Sequence, residues 1–414
     1  MDNNFKKKAE DLIYFYTNMT ISQKKYLNEF TIIYIIFAPI SYYYEKFLNI
    51  NNLEKNGFKT KICDISDMFY SKKQQKNYFN KTSTFYNPKV KNIIKIKNFE
   101  NYKNFIDSLD KDKTIIYYTG RGFYRKYDDK FLFDYIYDQK FKIFLSEFGI
   151  EFYPNNLLEN IKLKFFLLRH RFFLRRYKQL NFIGSGANIK KIANFIYRDL
   201  NYISCPHPNF NWKKLKNKKN FTIYVEEALD GSPDGNVCEV TAPDMGANDF
   251  IKIPNTDVSA LFYKKLNNFF LNFEKKHNTN IIIASSGKYF YRKNPFEKRK
   301  IIYGDTINLI NSAKYIIGHN SYALYQSVIS NKKIALIDDN LLSKYKKREI
   351  LRFSTRSKTP INNLSSSVDG EPLLYNNNLA DRNEVIEFFL NDSKIKKNFD
   401  QFMIDCFSNS FKGI

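Results

Sequence analysis

The sequence predicts an α/β protein with two doubly wound, Rossmann-like domains. Three observations carry this. Short apolar runs rich in Ile, Phe and Tyr alternate with longer helix-periodic stretches, the pattern of parallel sheets joined by crossover helices. Several of these runs end in small or polar residues, where such sheets place their ligands. The chain has 414 residues, 43% of them hydrophobic and 17% aromatic, enough for two separate cores. We expect one domain over 1–200 and a second over 201–345. Residues 346–414 then form a loop and a helix that returns to the first domain.

"FTIIYIIFAPI", Phe30 to Ile40, reads as the first buried strand; it is shorter than the ~20 residues of a membrane helix. "SYYYEKFLNINNLEKNGF" follows as a helix, with Ser41 suited to the N-cap and Gly57 to the C-terminal stop. "KTKICDIS", from Lys59, is the second strand, and "KTIIYYTG", from Lys113, is another. Asp129 to Gly149 reads as one helix. Leu157 to Gln179 is a basic, aromatic helix whose apolar residues run nearly all round, which predicts burial; attachment to anionic lipid is the alternative. "LNFIGSGANI" is a strand and a tight turn, with Ile189 where a dinucleotide loop carries its third glycine.

Lys216 to Lys219 reads as an exposed connection. In the second half the strands are "FTIYVEE", "NIIIASSG", "KIIYGD", "YIIGHN" and "IALID". The helices are "VSALFYKKLNNFFLNFEKKHN", "TINLINSAK" and "SYALYQSVISNKK". A polar loop, "RSKTPINNLSSSVDGEP", precedes a closing helix near "RNEVIEFFLNDSKIKKNFDQFM".

The formal net charge of +25 favours polyanions. Lys and Asn are spread along the whole chain, however, as an AT-rich coding bias would leave them, and no nucleic-acid motif is present. Four dispersed cysteines without a CxxC pair suggest neither a zinc knuckle nor a disulfide framework. The polar start, "MDNNFKKKAEDL", is unlike a signal peptide. These features point to a cytoplasmic protein, with peripheral attachment at the inner face of the plasma membrane as an extension.

Four polar strand ends line up in the second half. They are Glu226-Glu227, Ser285-Ser286-Gly287-Lys288, Gly304-Asp305-Thr306 and Gly318-His319-Asn320-Ser321. Small polar residues at a helix start expose N–H groups to an anion. The last tetrad therefore reads as a phosphate seat, with Thr306 at a second helix start. Ser321 and Thr306 also suit plain caps, and a lone His319 also suits a satisfied core histidine. No Walker motif is present, because the upstream glycine is missing and Tyr289 replaces Ser or Thr.

Thr306, Leu309 and "SAKYIIGHNSYALYQSVISNKKIALI" resemble the donor-binding stretch of GT-B glycosyltransferases of bacterial surface-polysaccharide (capsule and lipopolysaccharide) assembly. "YVEEALDGSPD" is similar to the strand and loop that open the second domain in that group. The resemblance covers Phe221 to Asp338. It departs at Ser285-Ser286, where an aromatic or His-Pro is usual, and at Ile334, where Pro is common. It implies a cleft between the two domains and metal-independent transfer of a sugar from a nucleotide donor to a glycan or lipid-linked acceptor. It leaves hexosyl, sialyl and Kdo-type donors open, and no cofactor is implied beyond the donor itself.

Donor contacts would come from Ser285, Ser286, Lys288, Thr306, His319, Asn320 and Ser321. Glu226, Glu227, Asp230 and Asp234 are candidates to bind ribose or act as base. On the acceptor side stand Asp64, with Asp67 beside it, and Arg121. No Asp-x-Asp metal motif is evident. A sugar-nucleotide epimerase of the same architecture and a basic nucleic-acid binder are the competing classes.

Overall fold

The computed structural model describes residues 26–37, 48–69, 92–119, 130–148, 157–197, 199–206, 220–226, 256–285, 291, 293–319, 321–342, 344–364, 374–376, 383, 385 and 399–411. The first sheet is built from β1 (Thr31–Ile36), α1 (Ile50–Lys55), β2 (Lys59–Asp64), α2 (Ser66–Phe69), β3 (Ile93–Lys95), α3 (Phe99–Asp107) and β4 (Thr114–Tyr118). It continues with α4 (Lys130–Asp138), β5 (Lys142–Phe148), α5 (Leu157–Leu174), β6 (Asn181–Ser185), α6 (Ala187–Ile196) and β7 (Asn201–Ser204). Its strands are all parallel, in the order β3-β2-β1-β4-β5-β6-β7.

Parallel strands covered on both faces need apolar residues at every position, and β1 shows this. Ile33, Ile35 and Phe37 face one core, while Ile32, Tyr34 and Ile36 face the other. At Gly57, φ of 96° ends α1 in a conformation that favours glycine.

The second sheet comprises β8 (Phe221–Glu226), α7 (Thr256–His277), β9 (Asn280–Ser285), β10 (Ile301–Tyr303), α8 (Thr306–Ser312) and β11 (Tyr315–Gly318). There follow α9 (Tyr322–Ile329), β12 (Lys333–Asp338), α10 (Lys344–Ser357), β13 (Ile361–Asn363) and β14 (Tyr375–Asn376). The order is β10-β9-β8-β11-β12-β13, with β14 antiparallel to β12. One core gathers Tyr224, Phe262, Phe270, Ile317, Leu324, Ile337 and Phe353. Two Rossmann-like domains in one chain is the GT-B layout.

Three expectations change. Asp129–Gly149 is not one helix: α4 stops at Asp138, Lys140 takes φ of 62°, and β5 follows, pairing with β4 and β6. The domain limits also move. Strand pairing puts β7 in the first sheet, and Cys205 sits in its core. Strand pairing likewise keeps β13 and β14 in the second sheet, and Ile350 and Phe353 of α10 belong to its core, so that domain runs past 345. Finally, α5 is not buried all round: Ile161, Phe165, Leu168 and Phe172 are exposed. Ser41 and Lys216–Lys219 lie outside the described residues.

The helix α11 (Phe399–Phe411) packs into the first domain. Phe399, Met403, Ile404 and Phe407 join Tyr34, Ile36, Tyr117 and Phe144 in one core. The Phe407 ring lies 5.4 Å from Phe144 and 6.0 Å from Tyr117, centre to centre. Asn49 Nδ2 donates to the Asp400 carbonyl at 3.0 Å, and Lys142 Nζ donates to that of Ser410.

Removing a fully buried ring that touches three aromatic neighbours leaves a cavity. Phe407→Ala is therefore expected to destabilise the first domain by about 3–5 kcal/mol. Urea unfolding followed by tyrosine fluorescence, compared with that of the exposed Phe131→Ala control, measures the effect.

Candidate functional site

The second sheet changes direction between β8 and β11. From β8 the chain winds outward through β9 and β10, then returns to β11 and winds the other way. In such sheets the crevice beyond the carboxyl ends at this point holds ligands. Register aligns the ends: Glu226 pairs with Ser285, Ser285 with Tyr303, and Gly318 with Val225 and Leu336.

Glu226 ends β8 buried, at 3% exposure. Ser285 Oγ donates to its Oε2 at 3.1 Å, and the Tyr291 hydroxyl donates to Oε1. The Tyr291 hydroxyl is also 3.2 Å from that of Tyr263 on α7, and its N–H donates to the Tyr303 hydroxyl at 3.4 Å. Lys346, half-buried on α10, lies in the field of Glu226 and Glu349. Burial brings the pKa of its ammonium down to about 8, against the pull of those two carboxylates. Beyond the end of β12, Lys265 Nζ pairs with buried Asp339 at 3.2 Å, and Asp339 accepts the Leu341 N–H at 2.9 Å. These groups make a buried carboxyl held by hydroxyls, with a cation in its field, at the carboxyl end of the central strands.

His319 follows Gly318 but turns inward and is fully buried. Its Nδ1 donates to the Ile337 carbonyl at 2.9 Å, so Nε2 carries the lone pair and has no partner among the described residues. The ring lies 5.7 Å from Phe262 and 5.8 Å from Tyr224. Burial lowers its pKa to about 4, although the Ile337 bond and Asp339 pull the other way. His319 is thus a neutral core residue, which corrects the expectation that it reaches a phosphate. The reason is packing, since α7 covers this side of the strand end. Gly318 has its own steric role: a Cβ there would meet Leu324 Cδ2 at 2.9 Å, so glycine lets α9 sit close on β11.

Ser321 is the N-cap of α9 and accepts the Ala323 N–H at 3.3 Å, which leaves its hydroxyl proton to donate. Thr306 Oγ1 donates to the Ser285 carbonyl at 3.4 Å, tying the start of α8 to the end of β9. Ser285 is fully buried behind Glu226. In the first domain, Asp64 is buried and accepts the Ser66 N–H at 3.0 Å, starting α2. Burial raises its pKa, opposed by the Ser66 bonds and Lys95. Arg121, Glu227, Asp230, Asp234, Ser286, Lys288 and Asn320 lie outside the described residues.

The structure thus brings Glu226, Ser285 and Thr306 together, with Ser321 at the adjoining strand end, and leaves Asp64 in the other domain. Tyr263, Tyr291, Lys265, Asp339 and Lys346 were not singled out in the sequence. Only Asp339 carried a signal, as a second acid directly after the apolar run of β12.

No protein-family profile and no curated protein sequence matches the chain. Among solved structures it is similar to a UDP-glucosyltransferase from Polygonum tinctorium (7% identity, TM-score 0.47, 92% of this chain and 99% of that one). It is also similar to a glycosyltransferase from Rickettsia africae (11%, 0.42, 93% and 98%) and to the UDP-GlcNAc 2-epimerase of Methanocaldococcus jannaschii (12%, 0.41, 92% and 99%).

The lowered pKa of His319 has a stability consequence. Its contribution is fully present above the ordinary value of 6.5 and is lost as pH falls through about 4, where the buried ring must take a proton. Over that window the native chain should lose on the order of 3 kcal/mol relative to His319→Leu. Chemical unfolding of both proteins at a series of pH values tests this, and parallel curves would remove His319 from the account.

Proposed function

We propose that the protein is a metal-independent glycosyltransferase. It moves a sugar from a nucleotide-activated donor to a glycan or lipid-linked acceptor of surface-polysaccharide assembly. The observation that carries this reading is the Glu226–Ser285–Tyr291 network with Lys346 beside it, at the switch point of the second sheet. The Thr306–Ile337 sequence pattern supports it.

In this reading, transfer leaves negative charge on the departing nucleotide phosphate. Lys346 and the N–H groups at the start of α9, with the Ser321 hydroxyl, offset that charge. Helix termini and an ammonium do the work a divalent ion would otherwise do, so activity should persist in EDTA. Both oxygens of Glu226 are engaged by hydroxyl donors, which suits it to holding Lys346 or a ribose hydroxyl rather than to taking a proton. The base then comes from Glu227, Asp230 or Asp234, or from the first domain.

Incubation with UDP-, GDP- and CMP-sugars, with and without glycan acceptors, tests the assignment. Release of nucleotide that depends on acceptor is the expected result. Interconversion of the donor sugar alone would establish an epimerase, and salt-sensitive binding of single-stranded RNA with no turnover would establish a nucleic-acid binder.

A thermal-shift panel identifies the nucleotide, since a ligand at a hundred times its dissociation constant adds about 2.7 kcal/mol. Lys346→Met is expected to weaken that nucleotide roughly tenfold or more, a loss of about 1.4 kcal/mol, measured by titration at a temperature where the variant is folded. Because the Lys346 ammonium titrates at about 8, nucleotide affinity should fall as pH rises through that value. In Lys346→Arg the profile should stay flat, because guanidinium remains charged. Full loss of activity in EDTA, restored by Mg²⁺ or Mn²⁺, would overturn the metal-independent mechanism.

A further inference from the structure

The helix α5 is apolar on two sides, and the fold uses one of them. Leu167 and Leu174 pack against the first domain's core, and His170 is buried with Nδ1 2.9 Å from the Phe166 carbonyl. On the opposite side Ile161, Phe165, Leu168 and Phe172 fall within about 60° of arc, at roughly 100° per residue. They are 43%, 70%, 54% and 66% exposed. Contiguous apolar stripes of this kind mark interaction surfaces.

Cations edge the stripe. Lys164 and Arg171 lie on one flank and Arg169 on the other, all exposed. The Arg175 guanidinium is 5.6 Å from the centre of the Phe172 ring. That of Arg171 is 4.9 Å from Phe195 on α6, which is itself partly exposed and widens the patch. Between Asn160 and Gln179 the chain carries seven Lys or Arg and no Asp or Glu.

We propose that the outer face of α5 docks on an anionic lipid bilayer. The helix lies in the headgroup plane, with Phe165, Leu168 and Phe172 reaching the acyl boundary and the flanking cations on lipid phosphates. Charge complementarity selects this occupant. A second copy on the same face would oppose cation to cation with no acid between them. Nucleic acid would satisfy the cations but leave Ile161 and Leu168 without an apolar partner. No described helix is long and apolar enough to cross a membrane, so the contact is interfacial. The inference is independent of the transfer chemistry and stands or falls without it.

Co-sedimentation of the full chain with phosphatidylcholine vesicles, with and without phosphatidylglycerol, tests the proposal. Binding should be strong only with phosphatidylglycerol and should weaken with salt. Phe165→Ser combined with Phe172→Ser changes only exposed side chains; it should keep the thermal midpoint and lose vesicle affinity roughly tenfold or more. Lys164→Glu with Arg169→Glu should abolish the preference for phosphatidylglycerol. Three results would overturn the proposal. One is undiminished sedimentation of the Phe double variant. Another is a dimer, seen by light scattering, that this variant dissolves while the native chain ignores vesicles. The third is tight single-stranded RNA binding lost in the same variant without any lipid binding.

Discussion

A carboxyl group buried at the end of a central strand sets the terms for the second domain. Glu226 sits at 3% exposure. A group of this kind is costly in an apolar interior unless its oxygens are bonded and its charge is matched. The register of β8 with β9 places Ser285 opposite it, and Tyr291 closes the other oxygen. Lys346 reaches the same place from a helix beyond β12, where burial alone would make an ammonium unwelcome. Each group is tolerable because the others are there. The network is also anchored: Glu226 and Ser285 belong to paired strands, while Tyr263 and Lys346 stand on helices. Their positions are fixed before any ligand arrives, the condition under which polar groups act most strongly on developing charge.

Much of the architecture was legible in the sequence because parallel strands covered on both faces cannot hide. Runs such as Thr31–Ile36 and Tyr315–Gly318 are apolar at nearly every position, and the second is followed at once by polar residues. The segment around β5 was harder to read. Only the short polar break Asp138-Gln139-Lys140 divides the apolar residues of α4 from those of the strand, and it passes for the polar side of one continuous helix until Lys140 takes φ of 62°. The domain limits slipped for a related reason. Short edge strands such as β7 and β13 declare themselves by pairing rather than by composition.

The candidate site was legible as a row of strand ends and illegible as a network. Glu226, Ser285 and Thr306 were found by position alone. His319 looked like part of the same row, yet the direction of its ring depends on Phe262 of α7 and Tyr224 of β8, which no local reading of Gly-His-Asn-Ser contains. Lys346 sits in an ordinary cationic helix start, and nothing in that stretch marks its proximity to Glu226. The helix α5 shows the same limit in reverse. Its sequence is apolar on two sides, and only the position of the sheet decides which side is covered.

The return of α11 to the first domain bears on how the molecule is made. One face of the first sheet, with Tyr34, Ile36, Tyr117 and Phe144, is closed by residues that are translated after the entire second domain. During synthesis the N-terminal half therefore waits with part of its interior open to solvent and to neighbouring nascent chains, while the second sheet can mature first. A helix encoded after the second sheet thus acts as the latch that closes the core of the first.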